Sequence, residues 1–136
     1  MLNSAVMNYV VMDSLPFATV ESEHFRKVAL LGLQPSLQVM AKKTLVNKLS
    51  VKIEEMKTGL KKALGEVDHV ATTADAWTKH RRAFLGFAVH WIDPQSLERM
   101  SAALAVRRIK GRHTYDVLSS CIHEVHQEFA IQNKVC

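Results

Sequence analysis

The spacing of apolar residues changes near Gly65, and this change constrains the fold more than any other feature of the sequence. Before Gly65, apolar residues recur at three- and four-residue steps, which is the spacing of one helix face. After it, apolar runs of strand length alternate with polar, turn-forming residues. The sequence therefore predicts an α/β protein, with a helical segment over residues 1–66 and a sheet-containing segment over residues 67–136.

The helical segment is predicted to contain one long helix and two shorter ones. The long helix is expected from about Val39 to Leu64, with its apolar residues on one face. That face consists of Leu45, Leu49, Ile53, Met56, Leu60 and Leu64. Before it, NSAVMNYVVMDSL and VESEHFRKVALLGL each have the length of a short helix, ended by Pro16 and by Gly32. Because isolated helices this short are marginal in water, all three helices are expected to pack as a small bundle.

The second segment is predicted to contain three strands followed by a helix. DHVATTADAW favours a strand, residues 78–82 a polar turn, and AFLGFAVHWI a central strand that is buried on both faces. LERMSAALAVRRI is compatible with either a strand or a helix, but the turns around it favour an antiparallel meander. Thr114 can cap a final helix. The apolar stripe of that helix consists of Val117, Leu118, Cys121, Ile122, Val125 and Phe129.

Length, charge and cysteine content narrow the class of protein. The 136 residues suffice for one ordinary domain or two small ones, and 48% of them are apolar, enough for a buried core. With 18 basic and 13 acidic residues, the formal charge of +5 permits contact with a polyanion without requiring it. Cys121 and Cys136 are too few for a disulfide framework, which indicates an intracellular, reducing compartment. The apolar runs are too short for a transmembrane helix, so no membrane partner is expected.

Familiar enzyme motifs are absent from the sequence. It contains no glycine-rich phosphate loop, Gly-x-Ser-x-Gly elbow or His-Glu-x-x-His helix, and no small-molecule substrate is expected. Cys121, His123 and His126 are of the residue types that bind zinc. On a helix, however, Cys121 and His123 point about 200 degrees apart. A core cysteine with surface histidines is therefore favoured over a zinc site.

Two groups of cations are candidates for nucleic-acid contact. The first follows the third predicted strand and consists of Arg107, Arg108, Lys110, Arg112 and His113. These residues lie beside the predicted start of the final helix, where free amides and the helix dipole favour anions. A solvated strand end and loop is nevertheless favoured over phosphate binding at these residues. Lys42 and Lys43 begin a lysine-rich face of the long helix, for which a solvated surface is favoured over phosphate contact.

Asp75 lies among small residues in the first predicted strand. A buried acid is costly unless it is paired, hydrogen-bonded or bound to a metal. On the residues alone, an ion pair with a cation just after the strand is favoured. The candidates are Lys79, His80, Arg81 and Arg82. The alternative is a Mg²⁺ ligand for phosphoryl transfer, which requires further carboxylates at the same site.

The order of these motifs resembles that of the hAT superfamily of DNA transposases and of the BED-type zinc-finger proteins domesticated from them. TTADAWTKHRRAFLGFAVHWID is similar to a family strand of the form Thr-Thr-Asp-x-Trp-Thr followed by one that ends in His-x-Ile-Asp. LAVRRIKGRHTYDVLSSCIHEV is similar to the third strand, the Gly-x-His-Thr turn and the helix. LPFATVESEHFRKV and AKKTL resemble the segment before the catalytic domain. The resemblance covers nearly the whole chain.

The resemblance implies an N-terminal helical bundle followed by a truncated RNase H-like domain, formed by the three-stranded antiparallel meander and its helix. It places Asp75 at the first acid of a DDE-type site that holds Mg²⁺. The second acid of that site follows on the strand after this helix, and the third comes much later. We therefore expect no cofactor and no strand-transfer activity for this chain by itself.

The resulting expectation is a fragment or a domesticated remnant of a hAT-type transposase, associated with DNA and nuclear by resemblance. Two alternatives stay open. The chain can be an assembly module whose unfinished sheet edge pairs with a second copy or with another chain. It can also be a catalytic half-site that another polypeptide completes.

Overall fold

The computed structural model describes residues 1–111 and 114–136 of the chain. Its elements in order are α1 (Leu2–Met12), a 3₁₀ helix (Phe17–Glu21), α2 (Glu23–Ala29), α3 (Lys42–Gly65), β1 (Ala71–Lys79), β2 (Arg82–Ile92), β3 (Arg99–Ile109) and α4 (Tyr115–Glu128). The predicted α/β class is confirmed. Two compact units are present, unit 1 from Met1–Lys57 and unit 2 from Thr58–Cys136. They divide within α3, before the boundary that the sequence suggests after Glu66.

Unit 1 is helical, with a small apolar core. The buried residues of that core are Val6, Val10, Val20, Val39, Met40 and Leu45. The second predicted helix is divided, because Ser22 leaves the helical conformation and its hydroxyl accepts a hydrogen bond from the Phe25 amide at 3.4 Å. The long helix starts at Lys42, later than predicted. The preceding Met40 is held by its amide, which donates to the Asn3 side chain at 3.2 Å.

Unit 2 contains an antiparallel meander with the strand order β1-β2-β3, as the sequence predicts. The central position of β2 is also confirmed, but its burial on both faces is not. Burial alternates along the strand, with one set of side chains buried and the other only half-buried. The buried set is Ala83, Leu85, Phe87 and Val89. We call the sheet face that carries these residues the inner face and the opposite one the outer face.

The inner face packs on helices. Its core includes Leu64 from α3 together with Val125 and Phe129 around α4, all 2% exposed or less. This explains the alternating burial of β2, because one helical layer can cover only one face of a sheet. No helix among residues 1–111 and 114–136 is long and apolar enough to span a membrane.

The turns of the meander fix its register. β1 and β2 are joined by the two residues His80 and Arg81, since Lys79 pairs with Arg82. The turn is thus shorter than the predicted one. The second turn is ordered by Asp93, whose Oδ1 accepts hydrogen bonds from the amides of Gln95 at 2.8 Å and Ser96 at 2.9 Å. These hydrogen bonds stabilise the carboxylate, and they lower the pKa of Asp93.

The residues after α4 return to the start of the sheet. Val135 forms a parallel bridge with Val70, whose amide donates to the Lys134 carbonyl at 2.8 Å. The Lys134 ammonium in turn donates to three backbone carbonyls, those of Leu64 at 2.9 Å, Gly65 at 3.1 Å and Val67 at 2.7 Å. A cation at this position satisfies carbonyls that a helix C-terminus leaves without intrahelical partners.

Replacing Lys134 should therefore destabilise unit 2. We expect Lys134→Met to lower the free energy of unfolding by about 2 kcal/mol, since three carbonyls lose a charged donor while the aliphatic stem is kept. Urea denaturation followed by circular dichroism measures the effect. Lys48→Met, at an exposed position of α3 in unit 1, is the matched control. Equal free energies of unfolding for the two variants would show that the Lys134 hydrogen bonds do not stabilise unit 2.

Candidate nucleic-acid interface

Four cations meet at one end of the sheet. Arg81 lies in the β1–β2 turn and Arg82 begins β2, while Arg108 and Lys110 lie at the end of β3. Antiparallel pairing brings these segments together, because the start of β2 lies beside the end of β3. We call Arg81, Arg82, Arg108 and Lys110 the hairpin cluster. All four side chains belong to exposed residues.

The hairpin cluster surrounds a cavity of about 300 Å³. The cavity is also lined by Thr78, Ala83, Ile109 and Gly111. Its volume equals that of roughly ten liquid waters, which leaves room for a phosphate group. None of the described lining residues is acidic, so the charged side chains described around this cavity are all cationic. Such a concentration of cations attracts anions and positions phosphate groups.

The side chains that the sequence predicts to contact nucleic acid lie at different places in the structure. Arg108 and Lys110 belong to the hairpin cluster. Arg107, by contrast, lies on the inner face, where its guanidinium forms an ion pair with Glu128 of α4. Arg112 and His113 lie outside the described residues. Lys42 and Lys43 are exposed in the first turn of α3, within unit 1.

Sequence reasoning missed Arg81 and Arg82 as members of a basic site. It treated them as turn residues and as partners for Asp75. The signal that could have found them was already present, because a meander places the first turn beside the end of the third strand. Recognising the site required the register, which the sequence left open between residues 78 and 82.

The turn within this cluster has an unfavourable backbone. His80 has a φ of 50° and Arg81 a φ of 60°, a left-handed conformation in which side chains are costly. Two-residue hairpin turns of this kind favour Asn-Gly, which avoids that cost. Arg81 therefore occupies a position at which glycine would make the turn more stable.

Arg81→Gly should consequently change stability and nucleic-acid affinity in opposite directions. We expect the free energy of unfolding to rise by roughly 0.5–1 kcal/mol, because glycine's unfolded-state entropy offsets part of the relieved strain. Affinity for an oligonucleotide should fall, since one cluster cation is lost. Thermal denaturation and fluorescence anisotropy measure the two effects. Unchanged affinity would remove Arg81 from the interface.

Asp75 is exposed on the outer face, paired in register with Gly86 of β2. The favoured ion pair is not formed. Lys79, His80, Arg81 and Arg82 are all described, yet no ion pair of 4.0 Å or less joins any of them to the Asp75 carboxylate. The carboxylate avoids the expected desolvation cost because β1 is exposed rather than buried.

Asp75 alone does not make a two-ion metal site. Two other acids of this segment have positions of their own: Asp93 orders the second turn, and Glu128 pairs with Arg107 of the inner face. Across residues 1–111 and 114–136, no three His, Cys, Asp or Glu side chains are grouped to hold a metal. The described residues therefore supply one candidate ligand for Mg²⁺ at this place, where a phosphoryl-transfer site needs several.

The cluster on α4 has a structural explanation. Cys121 is half-buried and packs against the inner-face core, which confirms the interpretation as a core cysteine. His123 is exposed. His126 is half-buried, with its Nε2 at 3.3 Å from the Thr72 hydroxyl. Burial and the neighbouring His123 both disfavour its charged form, which lowers the pKa of His126.

Comparison with known proteins does not assign a family. No protein-family model matches the chain, and no curated protein has a significantly similar sequence.

Proposed function

We propose that the chain is part of, or is derived from, a hAT-type DNA transposase and that it associates with nucleic acid. The ordered motifs that resemble the family support this origin. The fold is compatible with it, because three antiparallel strands are followed by a helix. The resemblance also implies a further strand after that helix, and the parallel bridge between Val70 and Val135 is compatible with such a strand. An RNase H-like domain and a nuclear location are part of this proposal.

The observation that carries the proposed association is the hairpin cluster. Four cations line one cavity, and no described lining residue neutralises them. Binding of phosphates there releases counterions from the nucleic acid, so the affinity depends steeply on salt. The cluster also lies at one end of the strand that carries Asp75, the acid that the resemblance singles out.

The adjacent residues Arg108 and Arg107 give a matched test of this interface. We expect Arg108→Gln to weaken oligonucleotide binding and to reduce the slope of log affinity against log salt by about one. Arg107→Gln should leave that slope unchanged, because Arg107 lies on the other face and pairs with Glu128. Fluorescence anisotropy at several salt concentrations measures both slopes. The double variant Lys42→Gln, Lys43→Gln tests the predicted contribution of α3 in the same assay.

Several results would contradict the proposed association. Equal slopes for Arg108→Gln and Arg107→Gln would mean that the hairpin cluster does not contact phosphates. Absence of any binding to DNA or RNA at low salt would contradict the association itself. In either case, circular dichroism of each variant serves as the control for folding.

Catalysis by this chain alone is not part of the proposal. The resemblance assigns only Asp75 to the three acids of the DDE site, and one carboxylate cannot position two metal ions. Mg²⁺-dependent nicking or joining of DNA by the purified chain, lost in Asp75→Ala, would overturn this view.

A second candidate function is assembly through the free edge of β1. Among the described residues, backbone pairing on that edge involves Val70 alone, just before β1, which leaves all nine residues of β1 without a neighbour there. Exposed edges of this length are templates for pairing with another chain. The Val70 amide points away from β2, towards the free edge of the sheet, because it donates to the Lys134 carbonyl. Amides alternate in direction along a strand, so those of Ala74 and Ala76 also point to the free edge.

This alternative predicts association without nucleic acid. Sedimentation at several protein concentrations should show a dimer. Ala76→Pro should abolish the dimer, because it removes an amide donor from the free edge of β1 and keeps the hydrogen bonds to β2. A monomer at every concentration would exclude self-association through this edge.

A further inference from the structure

The outer face of the sheet carries an aromatic pair beside the cationic end. Trp77 of β1 and Phe84 of β2 occupy paired register positions, and their rings stack with centroids 5.8 Å apart and an interplanar angle of 23°. Trp77 is 40% exposed and Phe84 is half-buried. The exposed side of this pair is apolar, and the helical residues described in the core of unit 2 pack on the opposite, inner face.

Gly86 determines how Trp77 lies on the sheet. A Cβ atom at Gly86 would approach Cζ3 of the indole to 2.8 Å and Cη2 to 3.1 Å. The indole therefore occupies the space that any other residue at position 86 would fill. As a result, the ring lies against the backbone of β2 at Gly86, and 40% of Trp77 stays exposed to a ligand.

The surroundings of the aromatic pair are electrically asymmetric. Arg108 pairs in register with Phe84, and Lys79 pairs with Arg82, so all three cations follow the same alternation onto the outer face. Asp75 lies on the other side of Trp77 along β1. A flexible polyanion that lies over the aromatic pair can place its phosphates at the cationic end and away from Asp75.

We propose that the outer face binds single-stranded nucleic acid, with a base stacked on Trp77 and Phe84 and the adjacent phosphates at the hairpin cluster. This inference rests on the proposed association with nucleic acid and names the class of strand. Sheet surfaces that combine exposed aromatics with cations use this chemistry, since every base presents a π-face to an aromatic ring. In a duplex, those π-faces are already stacked on neighbouring bases, so only an unpaired base can stack on the aromatic pair.

The cations beside the aromatic pair argue against an apolar peptide as the ligand of this surface. An apolar peptide would satisfy the aromatic pair but would leave the cations beside it unmatched. An unpaired nucleotide matches both features, because its base is apolar on its faces and its phosphate is anionic. The short separation along the strands, from Trp77 to the turn at His80, suits neighbouring parts of one chain of nucleotides.

Intrinsic fluorescence tests the stacking directly, because the chain has two tryptophans on opposite faces. Trp91 packs against the inner-face core. In the Trp91→Phe variant, Trp77 is the only reporter, and we expect its emission to be quenched by a single-stranded deoxythymidine oligonucleotide. The Trp77→Phe variant, which keeps Trp91, should show little quenching with the same oligonucleotide at saturation.

Affinity gives a second and independent measurement. We expect Trp77→Ala to weaken binding of the single strand about tenfold, within the range of one base-stacking contact, with a much smaller effect on a duplex of the same sequence. Gly86→Ala should act in the same direction because it displaces the ring without removing it. Tyr115→Ala, at an 80% exposed aromatic position of α4, is the matched control and should bind as the unaltered chain does.

The outcomes separate this inference from the proposal on which it rests. Salt-dependent binding with an unquenched Trp77, and with unchanged affinity in Trp77→Ala, would overturn stacking while the phosphate interface stands. Equal effects of Trp77→Ala on single strand and duplex would overturn the preference for a single strand. Failure of every oligonucleotide to bind at low salt would overturn both proposals.

Discussion

The register between β1 and β2 is the constraint on which the rest of the structure depends. The two-residue turn at His80 and Arg81 fixes it by pairing Lys79 with Arg82. Side chains alternate between the faces of a sheet, so a shift of one residue would exchange every inner and outer position of β1. With the observed register, Asp75 lies opposite Gly86 and Trp77 lies opposite Phe84. The candidate interface thus follows from one short turn.

The same alternation gives neighbouring arginines different roles. Arg107 reaches α4 and pairs with Glu128, which joins the sheet to its helical layer. Arg108, the next residue, takes the outer side and joins the hairpin cluster. A basic run in a sequence is therefore not a basic surface when it lies on a strand, because its cations are divided between the two faces.

Much of the fold could be predicted from the sequence, because it depends on local periodicity and turn chemistry. The helical first half, the meander and the final helix each have a pattern of their own. The burial of β2 was predicted wrongly, since a nearly continuous apolar run does not reveal how many helical layers cover the sheet. Identification with an RNase H-like domain rests on the resemblance and stays a proposal.

The candidate site was less predictable, because it depends on contacts between distant segments. Arg108 and Lys110 were candidates from the sequence, but their convergence with Arg81 and Arg82 is a consequence of strand pairing. The prediction of an ion pair for Asp75 was wrong for a related reason, since that pair also depends on the distance between two side chains. Lys79 lies on the same outer face as Asp75, but four residues of strand rise place the two Cα atoms about 13 Å apart. The exposed carboxylate also needs no partner.

An NMR titration of the ¹⁵N-labelled chain with a short single-stranded oligonucleotide at low salt tests the outer-face interface most directly. We predict that the largest amide shift changes map to the outer-face positions from Asp75 to Gly86 and to the end of β3 around Arg108. Residues of α4, on the inner face, should change little. Shift changes centred on α4 or on unit 1, with the sheet residues unaffected, would contradict the assignment of the outer face as the nucleic-acid interface.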